Sequence, residues 1–147
     1  APTFDQKDCW ELFVNNICKQ AFFKKKILIS HPSEFRNFVP ITRICKIIEF
    51  ILKKEPNSQI LNAGSNKSMQ LHEMGRLVKE ACIRILGFTP ELEFSNQLKF
   101  KDGYEYNISK INNLGFADED NLTDEIENIF RYLKTIKKYE NKKKKYP

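Results

Sequence analysis

Apolar residues recur at helical spacing in several stretches of this chain, and the intervals between them carry strand and turn signals. Trp10, Phe13, Val14, Ile17 and Ala21 form the first stripe, which predicts a helix over 8–22 capped by Asp8. Lys24, Lys25 and Lys26 end it, and Ile27, Leu28 and Ile29 read as a short strand. His31, Pro32 and Ser33 are turn residues; 35–40 is then extended, because the residue before Pro40 is pushed out of the helical region. A second helix over 42–54 should bury Ile44, Ile47, Ile48, Ile51 and Leu52, with Pro56, Asn57 and Ser58 after it. Residues 59–63 predict a strand and 64–66 a tight loop. Ser68 stands ahead of a third helix, 69–86, whose inner face is Leu71, Met74, Leu77, Val78, Ala81 and Ile85, with Gly87 as its left-handed cap. A strand over 91–94 follows, then a short helix beginning at Asn107 or Ser109 and stopping at Leu114, Gly115 and Phe116. Thr123 or Asp124 caps a last helix with Leu122, Ile126, Ile129, Phe130, Leu133 and Ile136 inside. Helices alternating with short strands predict an α/β or α+β fold.

Composition narrows this picture. With 147 residues and twelve phenylalanines, the chain can form one domain with a real core. Its apolar runs fall well short of the ~20 residues needed to span a membrane, and no apolar leader is visible at the start. The net charge of +6 suggests nucleic acid until it is located. Six lysines against Glu140 after residue 136 carry most of it, which leaves the body nearly neutral. The expected organisation is therefore a body, 1–136, and a solvated Lys-rich tail, 137–147. No nucleic-acid or membrane partner is expected. Cys9, Cys18, Cys45 and Cys82 show no C-x-x-C spacing, and two histidines do not complete a zinc site. Buried free thiols in a cytoplasmic protein are the expectation. The N-x-S/T matches at Asn66, Asn107 and Asn121 carry no weight without secretion.

Three segments, in order, resemble the C-terminal part of extended short-chain dehydrogenase/reductases, the NAD-dependent nucleotide-sugar epimerases and dehydratases. Phe35-Arg36-Asn37-Phe38-Val39-Pro40-Ile41 is similar to the family's R-D-F-V-x-V segment and precedes an amphipathic helix. Ile60-Leu61-Asn62-Ala63-Gly64-Ser65 resembles the strand and N-x-G-S turn, with a helix start at Leu71-His72-Glu73-Met74. Tyr106-Asn107-Ile108-Ser109-Lys110-Ile111, then Leu114-Gly115-Phe116, is similar to the D-x-S-K and L-G-F segment.

The resemblance implies that Arg36 contacts the diphosphate of a sugar nucleotide; read from the residues alone, Arg36 is an exposed arginine paired with Glu34. The family often places Asp where Asn37 stands. A second basic contact falls to Lys99 or Lys101, at shorter spacing than usual, and Lys101 is the residue taken here. Asn62 and Ser65 are expected to hold the turn. The resemblance also implies NAD or NADP in a full-length parent, a missing N-terminal cofactor-binding half, and a parent that is commonly a homodimer. The chain would begin just after the N-x-Y-G turn. It carries no Gly-rich phosphate turn, so no cofactor is expected to bind this chain alone. It also offers no catalytic residues: the Tyr106/Lys110 match is a decoy, because Asn107 and Ser109 start a helix that Tyr106 precedes. The alternative to an enzyme fragment is a non-catalytic sugar-nucleotide-binding or interaction module, a degenerate relative or a split-enzyme subunit. A nucleic-acid binder acting through the tail is disfavoured by the neutral body. An orphan strand at 59–63 predicts a chain that is marginally stable or aggregates alone.

Overall fold

The computed structural model describes residues 10–54, 60–99, 102–119 and 121–143. The elements are α1 (Phe13–Lys24), β1 (Lys26–Ile29), β2 (Phe35–Arg36), α2 (Ile41–Lys54), β3 (Met69–Gln70), α3 (Leu71–Leu86), β4 (Glu91–Phe94), α4 (Ser109–Asn113) and α5 (Leu122–Lys143). Helices dominate. β1 and β4 pair in parallel, Lys26 opposite Glu91 and Ile29 opposite Phe94, and β2 and β3 form a two-residue antiparallel pair.

The main core lies where α1, α3 and α5 meet β1 and β4. Ile17, Ala21, Ile27, Ile29, Met74, Val78, Phe130 and Leu133 are all buried there. Gly75 lets α3 approach β1: a Cβ at that position would stand 2.6 Å from Ile29 Cδ1. The predicted inner faces of α3 and α5 are buried or half-buried. α1 ends on Lys25 in the left-handed region at φ 54°, which an L side chain tolerates at some cost.

A second, smaller cluster joins α2 to α4 through Ile47, Ile108, Ile111 and Phe116, flanked by Phe50 and Ile51. Here the predicted inner face of α2 is corrected: Ile48 is 53% and Leu52 71% exposed. α4 is too short to cover the whole apolar side of a 14-residue helix.

Several boundaries move. α1 begins at Phe13 with no side-chain cap, and Asp8 lies outside the described residues. α3 begins at Leu71 rather than Met69 and is capped by Gln70, since Glu73 accepts the Gln70 N–H and residues 69–70 pair with β2. Asn121 caps α5, its Oδ1 accepting the Asp124 N–H, and α5 runs on to Lys143 across the expected start of the tail. Residues 60–63 do not form the predicted strand; no neighbouring strand pairs with them among the described residues, and Gln59 lies outside these.

Candidate functional site

The site is organised around residues 64–68, which precede β3. Asn37, at the end of β2, clamps this turn from both sides. Its Oδ1 accepts the Ser65 N–H at 2.8 Å and its Nδ2 donates to the Ser65 carbonyl at 3.1 Å. This pair of bonds fixes which way the amide faces. The backbone N–H of Asn37 donates to the Tyr104 hydroxyl at 3.1 Å. Asn62 donates to the Asn107 carbonyl, so Asn62 and Ser65 hold the turn as expected. Gly64 is required by close approach: a Cβ there would lie 2.3 Å from the Tyr106 ring. These contacts leave a polar cleft of about 820 Å³ with Phe35, Tyr104 and Tyr106 among its walls and Lys67 and Ser68 on its rim.

Arg36 stands at the end of β2 with its side chain 57% exposed. The guanidinium donates to its own neighbour's carbonyl, Phe35, at 2.8 Å and to Glu34 at 3.2 Å. That is the pairing the residues alone predict. A smaller pocket of about 400 Å³ lies beyond Glu34, lined by His31, Ser33, Asn96 and Lys99 among others. The Lys99 backbone N–H donates to Ser33 Oγ at 2.7 Å, which fastens this loop to the β1–β2 turn. Lys101 lies outside the described residues.

Arg43 carries a role that the sequence reading missed. It is 1% exposed, in the first turn of α2. Its Nε donates to the Gly64 carbonyl and its Nη1 to the Asp118 carbonyl, each at 2.8 Å, while Nη2 reaches Asn66 Oδ1 at 3.3 Å. The guanidinium also lies 5.3 Å from the Phe116 ring centre. One side chain therefore ties α2, the 64–66 turn and the loop after α4 together. The available signal was its place four residues before Ile47, a charged residue on an inward helical position, which burial obliges to find partners. Lys46 adds an ion pair to Asp118 at 2.7 Å.

Tyr106 precedes α4, which starts at Ser109, and Lys110 Nζ reaches instead toward the Ile60 carbonyl at 3.4 Å. The two groups share no helical face. Cys18 and Cys82 are buried free thiols, and burial raises both pKa values, that of Cys82 to about 11. Cys45 corrects the expectation of burial: it is exposed on the outer side of α2. Among the described residues no cluster of His, Cys, Asp and Glu could hold a metal, and no helix is long and apolar enough to cross a membrane.

Solved structures share the fold over part of their length. The dTDP-glucose 4,6-dehydratase of Bacillus anthracis, solved with NAD, matches with a TM-score of 0.62 at 20% identity, over 86% of this chain and 40% of that one. The UDP-glucuronic acid 4-epimerase of Bacillus cereus, solved with UDP-glucuronic acid and NAD, gives 0.63 at 19% identity over 86% and 41%. A GDP-D-glycero-L-gluco-heptose synthase of Campylobacter jejuni, solved with NADPH, gives 0.56 at 20% over 79% and 35%. The chain thus spans about 40% of the length of the first two enzymes. No family profile and no curated protein sequence matches it. The fold is that of the C-terminal part of a Rossmann-type epimerase or dehydratase.

Proposed function

We propose that this chain is the substrate-side portion of an NAD(P)-dependent nucleotide-sugar epimerase or dehydratase, and that it holds a sugar nucleotide by its diphosphate. The observation that carries this reading is Arg36. Its guanidinium is exposed and engaged only by Glu34 and a local carbonyl among the partners described. An exposed ion pair of this kind is worth little, so exchanging Glu34 for a phosphate costs little. The planar guanidinium fits two phosphate oxygens at once. Tyr104 and Tyr106 offer ring faces to a base or a sugar in the 820 Å³ cleft, whose lining includes Phe35, the residue before Arg36. Lys101, two residues after Lys99 in the sequence, is the second cation of the proposal.

NAD(P) supplies hydride transfer in the parent enzyme, and the chain's own residues contribute binding and orientation. The five glycines form no phosphate-cradling turn, so the cofactor belongs to the missing N-terminal half and no step is assigned to residues here. A second reading is a non-catalytic module that binds the same ligand. Calorimetric titration of the whole chain with dTDP-glucose and UDP-glucuronic acid tests the shared claim. Arg36→Ala removes a charge-assisted contact of about 1.5–3 kcal/mol, which weakens binding roughly 10- to 150-fold. Binding that Arg36→Ala leaves unchanged would remove Arg36 from the site.

A further inference from the structure

The near-neutral sum of the body hides how its charges are placed. Lysines gather at one end of the domain, where the C-terminal ends of α1 and α3 meet the later turns of α5. A closed circuit of contacts defines this surface. Lys137 Nζ of α5 lies 5.6 Å from the Phe22 ring centre on α1, and Phe22 packs edge-on against Phe23 at 4.9 Å. Lys25, which ends α1, has its Nζ 5.5 Å from the ring centre of Phe88, just beyond α3. Lys134, one turn before Lys137, closes the circuit by donating to the Ile85 carbonyl at 2.7 Å. Lys24 is exposed beside Lys25, and Lys19 is exposed one turn before Phe22 and Phe23. No carboxylate pairs with these five lysines among the described residues. The acids of α5 stand toward its other end, Asp124 and Glu125 in the first turn. Its helix runs on to Lys143, about 9 Å beyond Lys137, and the sequence after Lys137 adds five lysines against Glu140.

We infer that this end of the domain docks on an anionic lipid surface, which Phe23 enters and the lysines face. The inference does not depend on the proposed function. Charge complementarity selects an anionic partner, and three features select lipid over nucleic acid. The cations that no carboxylate holds are all lysines, compact hydrated charges suited to a diffuse layer of headgroups. Both nearby arginines, Arg84 and Arg131, are instead held by Glu127. Phe22 and Phe88 each carry an ammonium over the ring, which leaves less bare face for a base to stack on. Phe23 is 48% exposed beside Lys24 and Lys25. An apolar side chain within a polybasic patch combines burial with charge attraction, the two terms of interfacial binding.

Sedimentation of the full chain with phosphatidylcholine vesicles holding about 30% phosphatidylserine tests this. Binding should exceed that to pure phosphatidylcholine and fall as salt rises. Each lysine at such a surface contributes roughly a fivefold factor, so Lys24→Gln with Lys25→Asn should weaken binding about 25-fold. Asparagine suits the left-handed backbone at position 25. Lys19→Gln, a single change on an exposed helical position, should weaken it about fivefold. Lys53→Gln with Lys54→Gln removes as much charge from α2, outside this surface, and should leave binding within about twofold. Phe23→Ser, which changes no charge, should also weaken binding. Four results would overturn the inference. Vesicles with and without phosphatidylserine could bind alike. The two double variants could lose equally, which would reduce the effect to net charge. Removal of residues 138–147 could abolish binding that the Lys24/Lys25 variant retains in full, which would leave the tail alone. Single-stranded polyuridylate could bind more tightly than the vesicles and be weakened by the same pair, which would assign the surface to nucleic acid.

Discussion

Replacing Asn37 with the aspartate common at this position in the resembling family should destabilise this chain, and do so in a pH-dependent way. Asn37 uses both ends of its amide: Oδ1 accepts from the Ser65 N–H at 2.8 Å and Nδ2 donates to the Ser65 carbonyl at 3.1 Å. A carboxylate keeps the first bond, forfeits the second and brings a negative oxygen against the carbonyl of a residue that is 2% exposed. The loss is about 2 kcal/mol. Pairing of the new carboxylate with the exposed guanidinium of Arg36 returns less than about 1 kcal/mol, so the deficit survives. At this chain length each kcal/mol moves the midpoint by about 2–4 °C, so Asn37→Asp should melt about 3–6 °C lower at pH 7. Only the protonated carboxyl can donate to Ser65, so folding favours that form and raises the pKa of the introduced carboxyl above its unfolded value of about 3.9. The deficit is fully present above the folded pKa and fades as pH falls toward the unfolded one. Circular-dichroism melts of the wild type, Asn37→Asp and Asn37→Ala at pH 7 and pH 4 read this directly. Alanine loses both bonds, and its deficit should not change with pH. An aspartate variant with no deficit at pH 7, or the same deficit at both values, would refute the two-ended clamp.

Arg43→Met should loosen the α2–α4 cluster selectively. Two 2.8 Å bonds to backbone carbonyls disappear, a loss of about 3 kcal/mol, and hydrogen exchange should accelerate at Gly115 and Phe116 while α3 amides hold. Equal acceleration in α3 would mean that Arg43 supports the whole domain. Among the helical thiols, Cys45 should alkylate in the native chain at pH 8, whereas Cys18 and Cys82 should react only after unfolding, because burial both shields them and raises their pKa. Native labelling at Cys82 would contradict the packing of α3.

Periodicity located α1, α2, α3 and α5, because the core of this fold is helical and each apolar stripe is a local signal, while a start at Asn107 or Ser109 and a glycine stop marked α4. It failed where the answer depends on a neighbour. Ile48 and Leu52 lie within α2's apolar arc, and nothing local distinguishes the part covered by α4 from the part left bare. The 60–63 run has strand composition, but a strand is defined by its partner. The start of α3 moved from Met69 to Leu71 because pairing with β2 holds residues 69–70 extended. At the site, the order of the three motifs was readable and led to Arg36 and the 64–66 turn. The buried guanidinium of Arg43 and the hydroxyl of Tyr104 were not, since their partners lie 21 to 75 and 67 residues away along the chain.

The parallel pairing of β1 with β4 has a consequence for synthesis. Lys26 meets Glu91, so β1 leaves the ribosome long before its partner exists. During that interval Ile27 and Ile29 are an apolar strand with both edges open, the segment most prone to pair with the wrong chain. α1 is made immediately before β1 and packs on it in the finished fold. A helix that forms within microseconds and folds back onto the next four residues can shelter them until β4 arrives. Folding of this chain is then paced by closing a long loop, and α1 acts during that wait as the strand's own chaperone.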